Sequence, residues 1–551
     1  MSRPGNSGGR PGPVLTVGVP LAILAAAGYF GYHQLLAPAL ESRREQAAQE
    51  RLGESTSLSG SKFEKVIKVA GDPWSGYSTF RSEPRLAAAL AKSSIGIEYV
   101  DDEKLYEQGA RLRALASGQI DLALTTVDAF LQHGAKVKQD GLYPGVILWN
   151  IDESNGGDAI FLAKGRTNFD EVRASDKVCY ATGTPSEHLW DFASLSFSNL
   201  GDRLTADNGV VAGDCWKKLQ SGAVQVAVLW QPFTAIAVKD GYPKVFATGG
   251  QADDVIVDVL VANRQYLVRE KATLGKLARA YFETIDGYLK EPEAHARFIT
   301  ADCGNDCAGQ STLGSAVLDG IDFLSFEENM CLWWGQCGTP TKMIERIGKT
   351  GRLLVAKGKL AADALPPAQS ILNDSFLVGL QTERQEQARL AGEVAGKDTQ
   401  IQAPKIEAKE KVYTYAATAA KARTDVDIGT LSLPNIYFPE GKATLDPNAA
   451  SVVASISDKL RSFPALCVRV HGHTSSSGNA DSNQRLSQAR AQSIVSELQR
   501  LDTTTFPASR FDSRGFGSTV PLLKGGKEDL EASRRTEFKL FNCSGAPTAP
   551  R

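Results

Sequence analysis

The chain has 551 residues, of which 42% are hydrophobic and 23% are charged, and its formal net charge is −2. This composition is typical of folded domains, and it excludes a largely disordered chain and a membrane protein with many spans. The near-neutral charge offers no basic surplus, so we expect no nucleic-acid partner. At roughly 150 residues per domain, the length predicts about three or four structural units.

An uncharged apolar segment lies near the start of the chain. Residues 14–36 contain no Asp, Glu, Lys or Arg, and a helix of that length, at about 1.5 Å per residue, crosses a hydrocarbon core of roughly 30 Å. We therefore predict a single transmembrane helix after a cytoplasmic N-terminus at residues 1–13. The alternative is a signal peptide cleaved near Ala37-Pro38-Ala39, although the apolar core of such peptides is usually only about 7–15 residues long.

Eight cysteines follow residue 178, and an even count behind an apolar export segment predicts disulfides whose connectivity stays open. Zinc is the alternative, but no third or fourth ligand lies near any pair, so we expect no metal site and no cofactor. Disulfides indicate an oxidising compartment, and with the membrane helix they place the bulk of the chain in the periplasm, at the bacterial inner membrane. By spacing, the cysteines fall into the sets Cys179/Cys215, Cys303/Cys307, Cys331/Cys337 and Cys467/Cys543.

Composition divides the rest of the chain into five parts. Residues 37–61 are charged and then rich in Ser and Gly, which is typical of a stalk. Residues 62–380 alternate short apolar runs with helical patterns, which predicts an α/β fold with mainly parallel sheets. Residues 381–430 are rich in Ala, Gln and Lys and form a helical, charged linker. A compact domain at 431–545 and a tail at 546–551 end the chain.

The α/β region contains a helix candidate at Glu83–Ala91 and a series of strand candidates. Two long extended stretches, Gly145–Ala163 and Val255–Leu267, stand about a hundred residues apart. We interpret them as two crossovers between lobes, with residues 155–260 as an inserted second lobe. The strand candidates are Val66–Ala70, Ile120–Leu124, Gly145–Ile151, Ala159–Ala163, Val178–Ala181 and Val224–Leu229.

Several short motifs in this region occur in an order that is typical of one protein family. Residues 118–124 (GQIDLAL) are followed by 158–161 (DAIF), then by 181–188 (ATGTPSEH) and 221–232 (SGAVQVAVLWQP). Through them, residues 62–345 resemble a type 2 periplasmic solute-binding protein of the nitrate/sulfonate kind, of the sort that serves ABC transporters. The resemblance implies two lobes that close on a small ligand.

The candidate ligand-binding residues lie where strands end and helices begin. Free N–H groups and a partial positive charge collect at helix N-termini, so these loops suit a small polar or anionic solute. For each residue taken alone, core packing or helix capping is the competing interpretation. The candidates are Trp74, Ser75, Tyr77, Thr125, Thr126, Asp128, Gly183, Thr184, Ser186 and Trp230.

The last domain carries a more specific pattern. A helix with apolar residues at helical spacing is predicted from Pro447 to Phe463, and a strand at Cys467–Gly472 leads into Gly-His-Thr. The string at 483–491 (NQRLSQARA) and the paired arginines after Ser533 complete the pattern. The domain resembles an OmpA/MotB-like peptidoglycan-binding domain of α+β fold along essentially its whole length.

This resemblance implies a grip on diaminopimelate by an Asp and an Arg. The Arg position is Arg490, but Ser475 occupies the Asp position, and a charge-assisted hydrogen bond is worth roughly 1.5–3 kcal/mol, so binding is expected to weaken about 10- to 100-fold. Asp481 is a candidate substitute. The alternative is a domain that has become a protein-interaction module. The predicted peptidoglycan contacts are Thr474, Ser475, Asp481, Asn483, Arg490 and Arg534.

Together these parts predict a membrane-anchored binding protein whose partners are peptidoglycan, a small solute and an unidentified envelope protein, with a sensing or scaffolding role. A receptor that feeds an ABC permease is the alternative. A MotB-like stator is disfavoured because residues 14–36 lack an intramembrane carboxylate. We expect no catalytic residue: no hydrolase motif occurs, and His188 is a lone candidate base better explained as a polar residue at a helix start.

Overall fold

The computed structural model describes residues 63–101, 108–201, 203–253, 255–303, 313–394 and 427–543. The predicted membrane helix, the stalk and the tail all lie outside these ranges, as does most of the predicted linker. Within them, no helix combines the length and the apolar character that a membrane crossing requires.

The elements alternate between strand and helix through most of the chain. The strands in the described ranges are β1 (Lys65–Gly71), β2 (Ile95–Asp101), β3 (Leu122–Thr126), β4 (Gly145–Ser154), β5 (Asp158–Leu162), β6 (Lys177–Cys179), β7 (Thr205–Ala206), β8 (Val226–Trp230), β9 (Lys244–Ala247), β10 (Val257–Asn263), β11 (Ile321–Phe323), β12 (Asp427–Thr430), β13 (Leu466–Gly472), β14 (Phe511–Gly515), β15 (Leu523–Lys524), β16 (Lys527–Glu528) and β17 (Thr536–Asn542). The α-helices in the same ranges are α1 (Ser78–Arg81), α2 (Pro84–Ala91), α3 (Gln108–Ser117), α4 (Val127–Gly134), α5 (Pro185–Ser196), α6 (Ala212–Gln220), α7 (Phe233–Lys239), α8 (Arg264–Arg269), α9 (Lys271–Tyr288), α10 (Pro292–Asp302), α11 (Leu313–Leu318), α12 (Lys342–Ala356), α13 (Ser375–Val394), α14 (Pro447–Arg461), α15 (Ala480–Leu501) and α16 (Leu530–Ser533).

The first lobe is built on a six-stranded sheet with the order β11-β4-β10-β3-β1-β2. Strand β1 pairs in parallel with β2 and β3, whereas β10 runs antiparallel to both β3 and β4. The predicted strand at Val66–Ala70 is confirmed as β1. The predicted helix at Glu83–Ala91 is confirmed as α2, because Glu83 accepts a hydrogen bond from the N–H of Arg85 and Pro84 occupies the first helical position.

The second lobe is a five-stranded sheet with the order β7-β6-β8-β5-β9. The chain enters it after β4 and returns to the first sheet at β10, as the two predicted crossovers require. The prediction of mainly parallel sheets is wrong, since β5 and β10 are antiparallel to both of their neighbours. The reason is topological: a chain that leaves one lobe along β4 and comes back along β10 runs in opposite directions in the two strands.

The last domain is a four-stranded sheet with the order β12-β17-β13-β14, on which α14 and α15 pack. The helix predicted from Pro447 and the strand predicted at Cys467–Gly472 are confirmed as α14 and β13. Strand β12 lies in the last four residues of the predicted linker and pairs with β17, while α13 extends into the first part of that linker.

Three disulfides join the cysteines in the sets that their spacing suggested. Cys179–Cys215 connects β6 to α6 in the second lobe, and Cys467–Cys543 connects β13 to the residue after β17. Cys331–Cys337 closes a short loop in the first lobe. Cys303 is also disulfide-bonded, and Cys307, which the spacing grouped with it, lies outside the described residues.

The second lobe and the last domain share one apolar core. The ring of Phe463, which is fully buried at the end of α14, lies 5.5 Å from the Phe192 ring and 6.1 Å from the rings of Phe197 and Phe246, measured between centroids. The latter three residues belong to the second lobe. The two units therefore pack as parts of one hydrophobic cluster rather than as separate bodies on a spacer.

Polar contacts frame this shared core. Asp170 of the second lobe accepts hydrogen bonds from the backbone N–H of Thr430, at 2.9 Å, and from the Lys539 ammonium, at 2.7 Å. The backbone N–H of Ser198 donates to the carbonyl oxygen of Thr430 at 2.9 Å. Strand β12 is thus held between the sheet of its own domain and the second lobe.

We expect Phe463→Ala to lower the free energy of unfolding by about 3–5 kcal/mol, because it removes a fully buried ring from a shared core. Chemical denaturation followed by intrinsic fluorescence measures this change. Val268→Ala, at a side chain that is 82% exposed, is the control and should change the free energy by less than about 0.5 kcal/mol. Equal effects of the two substitutions would contradict the shared core.

Candidate functional site

A small cavity lies between the two lobes, where strands of both sheets end. Its volume is about 30 Å³, counted as the space open to the centre of a water molecule. The first lobe contributes the turn after β1, the start of α3 and the start of β10, and the second lobe contributes the start of β5, the start of α5 and the end of β8. The lining residues are Asp72, Trp74, Tyr77, Gln108, Asp158, Thr184, Pro185, Trp230, Ile256 and Asp258.

Four of the ten residues predicted to bind ligand line this cavity, namely Trp74, Tyr77, Thr184 and Trp230. The other six do not line it, and the contact of Thr125 shows why for that residue. The hydroxyl of Thr125 donates to the side chain of Gln108, which itself reaches the cavity. The remaining residues of this group are Ser75, Thr126, Asp128, Gly183 and Ser186.

The N-terminus of α5 differs from the predicted anion-binding site. The backbone N–H of Gly183 donates to the carboxylate of Glu187 at 2.8 Å, so a side chain of the same helix already occupies it. The hydroxyl of Thr184 donates to the carbonyl oxygen of Ala181 at 2.8 Å. An anionic ligand at this helix end would compete with an acidic group that is built into the fold.

Carboxyl groups dominate the chemistry of the cavity. Asp72 is paired with Arg111 at 3.0 Å, and the Arg111 side chain is fully buried. Asp158 accepts a hydrogen bond from the Ser154 hydroxyl at 2.7 Å. Asp258 accepts a short hydrogen bond from the hydroxyl of Tyr77. The lining therefore has three acids and, at its edge, one guanidinium that is already engaged.

A fourth acid stands beside these. Asp152 is directly opposite Asp258 on the neighbouring strand, and neither of its carboxylate oxygens has a hydrogen-bond partner of acceptable geometry among the described residues. Burial raises the pKa of Asp152 to about 8 and that of Asp158 to about 7. Burial, and then the nearby Asp152, also raise the pKa of Asp258 well above its usual range.

The sequence analysis did not identify these acids as residues in or beside the cavity. Asp258 interrupts the apolar run VIVDVLV, and Asp152 lies in LWNIDES, within a strand that is buried along its whole length. A charged residue inside a buried strand is a usable signal, because such a residue is rarely buried without a function or a partner.

A larger groove, of about 700 Å³, lies in the last domain. Five of the six predicted peptidoglycan contacts line it. Asp481, the sixth, does not: it is exposed in the first turn of α15. Glu440 and Glu531 line the groove instead, and the sequence analysis did not identify either. The predicted contacts that line the groove are Thr474, Ser475, Asn483, Arg490 and Arg534.

Local hydrogen bonds fix the two central side chains of this groove. The Nε of Arg490 donates to the carbonyl oxygen of Lys442 at 3.0 Å, and its guanidinium lies 5.1 Å from the centre of the Phe438 ring. The amide of Asn483 donates to the carbonyl oxygens of Ser475 and Ser477, which holds the loop after the Gly-His-Thr motif. Burial, together with the neighbouring Arg534, lowers the pKa of Arg490.

One cluster has the donor set for a metal ion. Ligand atoms of His471, His473 and Glu537 lie within 4.8 Å of one another. Burial lowers the pKa of His471 to about 4, so its imidazole is neutral and able to bind a metal near neutral pH. The guanidinium of Arg535 donates to the Glu537 carboxylate at 2.7 Å and competes for that ligand.

Replacement of Asp152 by Asn tests the buried acid. An acid whose pKa is raised in the folded state makes the protein less stable as pH rises from about 4 to about 8, because the unfolded state loses its proton first. The Asn variant lacks this penalty, so we expect Asp152→Asn to raise the melting temperature, relative to the unmodified protein, by more at pH 8 than at pH 5. The groups that face Asp152 are Asp158, Asp258, Tyr281 and Asp322.

Thermal unfolding of both proteins at the two pH values measures this difference. Asp240→Asn, at an exposed position, is the matched control and should show the same shift at both pH values. A pH-independent effect of Asp152→Asn would contradict the assignment of a raised pKa to this carboxyl.

Comparison with known proteins finds relatives for the last domain. A stretch of 112 residues is 36% identical to the "Probable lipoprotein YiaD" of Escherichia coli (strain K12) and covers 20% of this chain and 50% of that protein. A stretch of 109 residues is 29% identical to outer membrane protein Omp38 of Acinetobacter baumannii and covers 20% of this chain and 30% of that protein. The chain thus spans half or less of the length of these curated relatives.

Comparison with solved structures finds likenesses to the two-lobed region. The periplasmic aliphatic sulphonate binding protein SsuA from Escherichia coli is 13% identical, with a TM-score of 0.43, over 57% of this chain and 99% of that one. The periplasmic nitrate-binding protein NrtA from Synechocystis PCC 6803 is 11% identical, with a TM-score of 0.43, over 60% and 88%. Likenesses this weak carry no argument, and the two-lobed fold stands on the strand orders given above.

The family that matches is the OmpA family, over residues 437–535. The match includes β13, α14 and α15 and every residue that was predicted to contact peptidoglycan. The C-terminal part of the chain is therefore a domain of the OmpA family.

Proposed function

We propose that this chain is an envelope binding protein that holds a small polar solute between its two lobes and attaches to peptidoglycan through its OmpA domain. The observation that carries the proposal is the convergence of five motif residues on one groove of about 700 Å³. In this proposal residues 14–36 anchor the chain in the inner membrane as a single helix, and the rest lies in the periplasm. The occupancy of the cleft would be reported to an envelope protein partner.

A receptor that feeds an ABC permease is the second candidate, because the cavity lies between two lobes as in a transport receptor. The shared core around Phe463 argues against free shuttling. It ties the second lobe to the domain that would hold the wall, so the lobes could not diffuse to a permease independently of the wall. We therefore favour sensing or scaffolding over transport.

The groove supports peptidoglycan binding through its cation. The guanidinium of Arg490 donates to the carbonyl oxygens of Lys442 and Pro439, which hold it in place, and it lines a groove that Arg534 also lines. Two guanidinium groups suit the carboxylates of a peptide stem. Glu440 and Glu531 on the same groove are candidates to meet the ligand ammonium in place of the family's Asp.

We expect Arg490→Ala to weaken binding to purified sacculi by about 10- to 100-fold, because it removes a charge-assisted hydrogen bond worth roughly 1.5–3 kcal/mol. Co-sedimentation of the full-length, detergent-solubilised protein with sacculi measures this. Arg485→Ala, at an exposed position on the same helix, is the control and should bind as the unmodified protein does. The proposal fails if the unmodified protein stays in the supernatant.

Ser475→Asp restores the acid that the family pattern has at this position. Ser475 lines the groove, so a carboxylate there would meet the ligand ammonium directly. We expect the variant to sediment with sacculi about 10-fold more tightly than the unmodified protein, in the same assay. Weaker binding by this variant would indicate that Glu440 or Glu531 already fills that role and repels a further negative charge.

A further inference from the structure

We propose that the solute held between the lobes is a small organic cation with N–H donors, a primary ammonium or a guanidinium, bound by the carboxyls of Asp158 and Asp258 with Asp152 behind them. The inference rests on the proposed solute-binding function of the cleft and names its ligand class. It departs from the sequence-based expectation of a small polar or anionic solute.

Strand β10 lies between β3 and β4, and its pairing with β4 places Asp258 and Asp152 on the cavity side of the sheet. Asp258 pairs with Thr126 on one side and with Asp152 on the other. Residues directly opposite each other in a sheet project to the same face, and Asp258 lines the cavity. The carboxyl of Asp152 is therefore on the cavity side of the sheet.

Asp152 is buried, but no cationic side chain among the described residues is beside its carboxyl to stabilise the charged form. The residue is 0% exposed, and the side chains that its carboxyl reaches, Trp74 and Asp258, carry no positive charge; neither carboxylate oxygen has a hydrogen bond of acceptable geometry in the described ranges. A buried carboxylate without a cationic partner is unfavourable in its charged form, so such a group is either protonated or neutralised by an incoming cation. The backbone at Gly76 lies very close to this carboxyl, because a Cβ at that position would collide with Asp152 Oδ2 and with Trp74 Nε1.

The guanidinium of Arg111, which is paired with Asp72 of the lining, already has hydrogen-bond partners. Of the Arg111 guanidinium, Nη2 donates to Asp72, while Nη1 donates to Gln108 and to the carbonyl oxygen of Leu124. This leaves Asp158 and Asp258 with hydroxyl donors, from Ser154 and Tyr77, instead of cations. The cavity therefore has a surplus of acid.

Aromatic rings complete the lining. Trp74 comes from the first lobe and Trp230 from the second, and both lie on the cavity. The face of an indole ring attracts a cation, more strongly when the cation is desolvated, whereas it does not attract an anion. Rings from the two lobes together with carboxyls thus favour a cation that carries an organic body.

The spacing of the acids favours an organic cation over a metal ion. Among the described residues, the cluster of His471, His473 and Glu537 is the one place where three ligating side chains come within 4.8 Å, and it lies in the OmpA domain, far along the chain from the cleft. In the described part of the cleft, no three acids bring their ligand atoms within 4.8 Å of one another, which suits several N–H groups on one ligand better than one metal ion. The small volume of about 30 Å³ indicates a small ligand, or the head of a longer one, in this arrangement of the lobes.

Isothermal titration of the full-length, detergent-solubilised protein tests the inference with defined probes. Agmatine and putrescine represent N–H cations, choline a cation without N–H donors, methanesulfonate and phosphate anions, and Mg²⁺ and Ca²⁺ metals. We expect agmatine or putrescine to bind, and to bind at least 10-fold more tightly than choline, with no heat from the anions or metals.

Variants assign the binding to the cleft. Asp158→Asn and Trp230→Ala, in different parts of the lining, should each weaken binding of the cation at least 10-fold. Asp240→Asn, at an exposed position in the second lobe, should leave it unchanged, and Arg490→Ala should do the same while it weakens sedimentation with sacculi. Unchanged affinity in both cleft variants, each shown to be folded by circular dichroism, would overturn the assignment.

The outcomes separate the inference from the proposed function. Binding of methanesulfonate, phosphate or a metal ion in place of the amines overturns the cation inference and leaves solute binding intact. If none of the probes binds and native mass spectrometry of the purified chain shows no small-molecule adduct, both the inference and the proposed solute-binding function fail.

Discussion

The side-by-side antiparallel pairing of β4 and β10 is the constraint on which the rest of the two-lobed region depends. These strands are the outgoing and returning passages between the lobes. Their pairing fixes where the cleft lies, because the chain leaves the sheet at the same edge that it re-enters. It also brings Asp152 and Asp258, which are separated by more than a hundred residues in the sequence, to adjacent positions. The position and the charge of the cavity thus have a common origin.

The sequence predicted those features that local patterns encode. The strand at Val66–Ala70 and the helix at Glu83–Ala91 follow from apolar spacing and from capping residues, and both are present. The peptidoglycan motif placed Ser475 and Arg490 on one groove because a strand, a loop and a helix start are close in the chain. Asp481 does not line the groove because it precedes Asn483 by two residues, which at about 100° per residue places it on the opposite, exposed side of α15.

Features that depend on distant pairing were not predictable in the same way. The acids of the cleft come together through the register of two strands, which apolar patterning does not specify across a hundred intervening residues. The parallel-sheet expectation failed for the same reason, since the direction of a returning strand depends on topology. The contact of Phe463 with Phe197 and Phe246 likewise joins rings far apart in sequence, so composition alone did not predict the packed interface between the second lobe and the last domain.

The shared core around Phe463 has a mechanical consequence. The second lobe packs against the OmpA domain. The first lobe contains β1, which is the first described strand after the proposed membrane helix and stalk. In the proposed anchoring the cleft is therefore connected in series between two attachments, one in the bilayer and one in the murein. Tension between these two attachments would pull the lobes apart, and a bound solute would resist that separation. The cleft would therefore act as a ligand-dependent connection that responds to the distance between membrane and wall.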